Sequence, residues 1–338
     1  MSRQVNVGVI GAGRIGRVHA QNLAYRIPEA NVLAIADVFL EAAEQCAADL
    51  GIPSALKDHG AILDNPQIEA VVICSSTDTH AQFIQEAAQA GKHIFCEKPI
   101  DYDLKRIDQA LGAVQRAGVK LQIGFNRRFD PGFTRVREMV TQGRLGVPHL
   151  VHIISRDPAP PPIEYIKVSG GIFLDMTIHD FDMARYLIGS EVEEVYAMGG
   201  VLIDPKIGEA GDIDTALVAL RYANGALGSI DNSRQAAYGY DQRVEVLGSK
   251  GGVVVSNRTP DNAVHSDADG VHAAKPLYFF IERYTEAFVI EMKEFITCVL
   301  EDKSPSVTGI DGRIPVVMGL AAWKSYREHR PVKLSEID

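Results

Sequence analysis

The sequence is poor in sulfur chemistry: its four cysteines, Cys46, Cys74, Cys96 and Cys298, form no CxxC pair and no metal-ligand spacing. They read as reduced, mostly buried thiols, which argues against a disulfide framework. No HExxH occurs and no second histidine stands at ligand spacing, so metal catalysis is not expected. Basic charge is also scarce. The 34 Lys and Arg against 44 Asp and Glu leave a net charge of −10, which gives no footprint for gripping the phosphates of a nucleic acid. No apolar run approaches the roughly 18 residues of a membrane span. Only MSRQ precedes the first apolar segment, without the apolar stretch of a secretory leader. The expected compartment is the cytoplasm. Internal repeats and charge blocks are missing as well.

What remains is an ordinary globular composition, 46% hydrophobic and 23% charged, in a chain of 338 residues. That length suits two domains better than one core. Up to residue 125 short apolar runs alternate with helix-length amphipathic stretches. The expected strands are 5–10, 31–37, 69–75, 92–97 and 119–125; the expected helices lie near 14–26, 39–50, 79–90 and 103–117. Continuous apolar strands separated by helices predict a parallel sheet covered on both faces, a doubly wound α/β domain. Past residue 148 the pattern changes to LVHIISRD, a helix near 172–188, several longer strands and a helical C-terminal region. Asn224-Gly225 between two alternating runs predicts an antiparallel hairpin. The second part is therefore expected to be α+β, with the PAPPP segment at 158–162 a loop. The expected boundaries are 1–125 for a nucleotide-binding domain and 126–338 for a substrate-binding and oligomerisation domain, its last helix free to pack back on the first.

GAGRIG directly follows the first strand and opens a helix. Gly11 permits the tight turn, Gly13 lets a pyrophosphate approach the backbone, and Gly16 lets helix and strand pack closely. Unpaired N–H groups at the helix start favour the anion. Asp37 ends the second strand, where a carboxylate accepts hydrogen bonds from ribose hydroxyls and repels a 2′-phosphate. Val38, Phe39 and Leu40 supply no Arg for that phosphate, so NAD is expected over NADP. The alternative for Asp37 is a helix N-cap or a turn residue after the strand. CSSTDTH at 74–80 could line the cofactor or cap the next helix. With Arg14 and Ile15, the residues Ser75, Ser76, Thr77, His80, Glu97 and Lys98 complete the expected cofactor contacts.

Oxidation of an alcohol by hydride transfer needs a base for the hydroxyl proton and a donor for the developing alkoxide. Lys98, in EKP at 97–99, stands at the carboxyl edge where open α/β sheets bind ligands; the alternative is a strand-end lysine reaching solvent. In FLDMTIHDFDMARYL, Asp175 and His179 are four apart on a helical pattern and share a face, with Asp182 about one turn further. A carboxylate there can fix the imidazole tautomer. A surface helix with an ion pair would show the same spacing.

Together GAGRIGRVHA, Asp37, EKP, GFNRRFDPGF at 124–133, the stretch 155–187 and NSRQAAYGYDQRVEVLGSKG at 232–251 resemble the glucose-fructose oxidoreductase/inositol dehydrogenase (Gfo/Idh/MocA) family, above all its bacterial inositol 2-dehydrogenases. The resemblance spans nearly the whole chain. It implies a Rossmann domain, a second domain with an open, mainly antiparallel sheet serving oligomer contacts, and a homotetramer. It implies NAD-dependent oxidation of myo-inositol to scyllo-inosose (2-keto-myo-inositol), with scyllo-inositol, a pyranose sugar or an anhydrosugar as alternative substrates, and a non-catalytic NAD sensor as an alternative of another class. Lys98 would bond the reacting oxygen, His179 would be the acid/base, and Asp175 would be its partner and a substrate ligand. Arg127 or Arg128, Asp157 and Tyr240 match positions near the polyol. Ser155 stands where some relatives carry histidine, which leaves the isomer preference open.

Overall fold

In a computed structural model, residues 3–337 are described; the first two residues of the MSRQ start and the final residue lie outside that range. The chain divides into two compact units. One runs to Phe129 and takes in Glu286–Ile314, and the other comprises Asp130–Thr285 and the chain from Pro315 onward.

The first unit contains β1 (Val5–Ile10), α1 (Arg14–Tyr25), β2 (Ala30–Ala36), α2 (Leu40–Leu50), β3 (Ser54–Leu56), α3 (Gly60–Leu63), β4 (Ala70–Ile73), α4 (Thr77–Gln89), β5 (His93–Glu97), α5 (Leu104–Ala117) and β6 (Leu121–Gly124). The strands form one parallel sheet in the order β3-β2-β1-β4-β5-β6. β4 and β6 are buried at every residue, as expected where helices cover both faces. The doubly wound fold read from the sequence is present. β3 is an addition to it, a short edge strand. The core of Val7, Val9, Leu23, Ile35, Val72 and Phe95 also receives Met292, Phe295 and Ile296 from far along the chain.

The second unit begins with α6 (Pro131–Thr141), capped by Asp130, whose carboxylate accepts the Gly132 and Phe133 N–H groups. There follow β7 (Pro148–Arg156), α7 (Ile163–Ile166), α8 (Ile172–Asp175), α9 (Thr177–Ile188), β8 (Val192–Gly200), α10 (Pro205–Glu209), β9 (Thr215–Tyr222), β10 (Leu227–Ser233), β11 (Asp241–Gly248), β12 (Gly251–Val255), β13 (Val264–Asp267), β14 (Gly270–Ala273) and α11 (Phe280–Arg283). Helices α12 (Thr285–Leu300) and α13 (Gly309–Glu328) and strand β15 (Val332–Lys333) end the chain. A seven-stranded open sheet runs β12-β11-β7-β10-β9-β8-β15, with only the β7–β10 pair parallel. The expected hairpin joins β9 to β10, with Gly225 at φ +85° in its turn.

Helix α9 lies against β7 and β10. Along β9 buried and exposed residues alternate, so one face of the sheet is core. The opposite face carries the exposed apolar side chains Leu150, Met198, Leu217, Leu227 and Leu247. Among the described residues no helix is long and apolar enough to cross a membrane.

Candidate cofactor and polyol sites

In the first unit, adjacent parallel strands bring the ends of β1, β2, β4 and β5 to one edge. The glycine turn sits there. Gly11 has φ +105°, and a Cβ on it would lie 2.5 Å from the Cys74 carbonyl oxygen. A Cβ on Gly16 would come within 1.9 Å of the Gly11 carbonyl oxygen. Both positions therefore require glycine for the turn and for the approach of α1 to β1. Gly13 differs. No atom lies within 4 Å of its would-be Cβ, and no side chain caps the start of α1. An exposed glycine backbone ahead of uncapped helix N–H groups fits a dinucleotide pyrophosphate. Arg14 is exposed and Ile15 half-buried in the first turn.

Asp37 faces back toward this turn. Its Oδ2 accepts the Ala12 N–H at 2.7 Å and its Oδ1 the Phe39 N–H at 2.9 Å. Phe39, not Asp37, occupies the N-cap of α2, so the N-cap alternative does not describe this carboxylate, while its bond to the Phe39 N–H is that of a turn residue. After β4, Ser75 and Thr79 hydroxyls lie 2.6 Å apart and Thr79 donates to the Ser76 carbonyl at 2.7 Å. Ser76 holds the N-cap position of α4 without a side-chain cap bond, and Thr77 is half-buried behind it.

Two expected cofactor contacts are engaged with the protein itself. The His80 ring, 2% exposed, lies 2.8 Å from the Pro99 carbonyl through Nδ1 and 3.0 Å from the Ser75 carbonyl through Nε2. It joins the Ser75 loop to the segment after Lys98, and its burial pulls its pKa down. Glu97 Oε1 is 2.7 Å from His19 Nε2. Lys98, half-buried, directly follows β5. Arg127 is buried, whereas the Arg128 guanidinium donates to Asp311 at 2.9 Å.

The second unit corrects the expected single helix over 172–188. The helical path breaks at Met176, where the Thr177 hydroxyl reaches back to the Ile172 carbonyl at 3.2 Å. Asp175 thus closes α8, and His179, half-buried, lies in the first turn of α9. The alternative of a surface helix does not hold: Asp180 and Asp182 are both fully buried. Asp180 accepts from the Asn232 amide at 2.8 Å. Asp157 is half-buried after β7, its N–H donating to Ser233 at 2.9 Å. Tyr240 is buried, edge-on to Tyr284 with ring centroids 6.1 Å apart. Ser155 is fully buried, its hydroxyl 3.0 Å from the Gln242 amide nitrogen.

Around Asp175 stand residues that sequence reasoning did not single out. The Tyr165 hydroxyl donates to Oδ1 at 2.8 Å and Arg234 Nη1 to Oδ2 at 3.2 Å. A separation of 59 positions between Asp175 and Arg234 carries no local signal. Both oxygens of the carboxylate are held.

Residues 5–125 match an oxidoreductase family described as an NAD-binding Rossmann fold, and residues 133–254 match the GFO/IDH/MocA C-terminal domain. The chain is 50% identical to the myo-inositol 2-dehydrogenase of Thermotoga maritima over 98% of this chain and 99% of that protein. It is 47% identical to the inositol 2-dehydrogenase of Rhizobium meliloti, again over 98% and 99%. Among solved structures, the scyllo-inositol dehydrogenase of Lactobacillus casei with bound NAD(H) and scyllo-inositol superposes with a TM-score of 0.93 at 29% identity, covering 98% of this chain and all (100%) of that one.

Proposed function

Since the chain belongs to the Gfo/Idh/MocA family and is an NAD-dependent oxidoreductase acting on CH–OH, we propose that it oxidises myo-inositol to scyllo-inosose. The observation that carries the substrate is the end-to-end likeness to the Thermotoga maritima enzyme. NAD, when bound along the glycine turn and Asp37, supplies the hydride acceptor. The protein's own residues manage the proton and the oxygen. In this reading Lys98 hydrogen-bonds the reacting oxygen and stabilises the negative charge that grows on it. His179 takes the hydroxyl proton as general base, and Asp175 supports the resulting imidazolium and binds a neighbouring hydroxyl. Arg127 or Arg128, Asp157 and Tyr240 contribute polar contacts to the ring, of the kind that reject analogues lacking a partner hydroxyl. The first 125 residues hold the cofactor and the rest serves substrate and subunit contacts. Exposed apolar side chains on the open sheet support assembly as a homotetramer, acting in the cytoplasm.

A second reading, oxidation of scyllo-inositol, is favoured by the likeness to the Lactobacillus casei enzyme. Initial rates of NADH formation with each isomer decide between them: selectivity for scyllo-inositol overturns the first reading.

A further inference from the structure

Arg234 lies one residue beyond β10, its side chain only 1% exposed. A guanidinium so deeply enclosed does not reach a ligand in solvent, and a buried cation needs counter-charges. It has them. Nη1 is 3.2 Å from Asp175 and Nη2 is 3.3 Å from Asp212, and Asp157 adds its field. Asp212 is anchored in turn: its Oδ1 accepts the Ile172 N–H at 2.9 Å, the first N–H of the turn that ends at Asp175. The Arg234 N–H donates to the Asp214 carbonyl at 2.9 Å, fixing the base of the side chain.

We propose that Arg234 is a positioning residue that fixes the direction of the Asp175 carboxylate, with Asp212 locking the guanidinium in place. This rests on the reading of Asp175 as the partner of His179. Arg234 donates to Oδ2 and Tyr165 to Oδ1, so each carboxylate oxygen is held by a different element. Facing groups include Asp175 on α8, Tyr165 on α7, Asp157 after β7 and Asp212 before β9, with His179 beside Asp175 in the reading above. Loss of Arg234 removes a positive charge from beside Asp175, Asp157 and Asp212, which shifts the acid limb of the reaction to higher pH.

The test is the pH dependence of kcat/KM for polyol oxidation in Arg234→Gln, Arg234→Lys and Asp212→Asn, with NADH binding as the check on folding. Arg234→Gln is expected to lower kcat about 10- to 100-fold, the loss of one charge-assisted bond, and to move the acid limb to higher pH. Arg234→Lys restores the limb toward its original position. Asp212→Asn, which leaves the guanidinium to Asp175 and Asp157, moves the limb the opposite way and decides the matter if Arg234→Gln does not fold. An acid limb unmoved in Arg234→Gln, or in Asp212→Asn where the first variant is not recovered, overturns the proposal. Asp175→Asn separates the two layers: full activity there removes the reading of Asp175 itself, whereas an inactive Asp175→Asn with an unmoved limb in Arg234→Gln removes only the role of Arg234.

Discussion

His19 Nε2 and Glu97 Oε1 lie 2.7 Å apart, with the His19 side chain fully buried between the edges of Phe95 and Phe288. The pair ties α1, which opens at the glycine turn, to the last residue of β5, immediately before Lys98. His19→Ala leaves a largely buried carboxylate without its partner. A loss of about 1.5–3 kcal/mol is expected, measured as a lower midpoint of denaturant unfolding at unchanged slope.

The glycine turn separates fold from cofactor. Gly13→Ala meets no protein atom within 4 Å, so its stability is expected to stay within about 0.5 kcal/mol of the parent, while NADH affinity falls as the methyl group meets the pyrophosphate. Gly16→Ala forces a methyl to 1.9 Å from a backbone oxygen and is expected to lose both. Thermal unfolding alongside NADH fluorescence titration reads the two effects separately.

How much of this was legible in the sequence depended on whether the cause was local. The parallel strands were, because a strand buried on both faces reads as an apolar run, as AVVI of β4 does. The Asn224-Gly225 turn was, because its chemistry is contained in two residues. β3 was not: SAL is three residues with no buried position. The break at Met176 escaped because the Thr177 side chain and its tertiary partner Asn232, not the 3.6-residue period, set it. Polar pairs such as His19 with Glu97, 78 positions apart, are tertiary facts. Sequence pattern singled out Glu97 as a residue at the cofactor edge but could not say what its side chain touches.

Asp37 is expected to set cofactor choice. Its carboxylate is fixed by the Ala12 and Phe39 N–H groups, and in the proposed site it would repel a 2′-phosphate. Asp37→Ala should shift the ratio of kcat/KM for NAD over NADP toward NADP by about tenfold or more, on the order of one charge interaction. An unchanged ratio assigns the discrimination to other residues.

Glu291 gives stability a pH dependence. It is fully buried, neither carboxyl oxygen has a hydrogen-bond partner, and burial with the nearby Glu97 charge pushes its pKa well up. The folded state therefore keeps a proton that the unfolded chain releases above the ordinary carboxylate range. The contribution is fully present below the unfolded pKa and is lost as pH rises toward the folded one. Glu291→Gln is expected to be close to the parent in acid and more stable at pH 8, with the gap widening between. Parallel stability curves across that range would show that Glu291 is ionised in the fold.

NADH formation from myo-inositol and NAD by the parent, Lys98→Ala and His179→Ala tests the proposed reaction most directly. Selective turnover of myo-inositol by the parent is predicted, with both variants slower by on the order of 10²–10⁴ and NADH binding nearly unchanged. Near-parental turnover in both variants, or no turnover of any inositol by a parent that binds NADH, contradicts it.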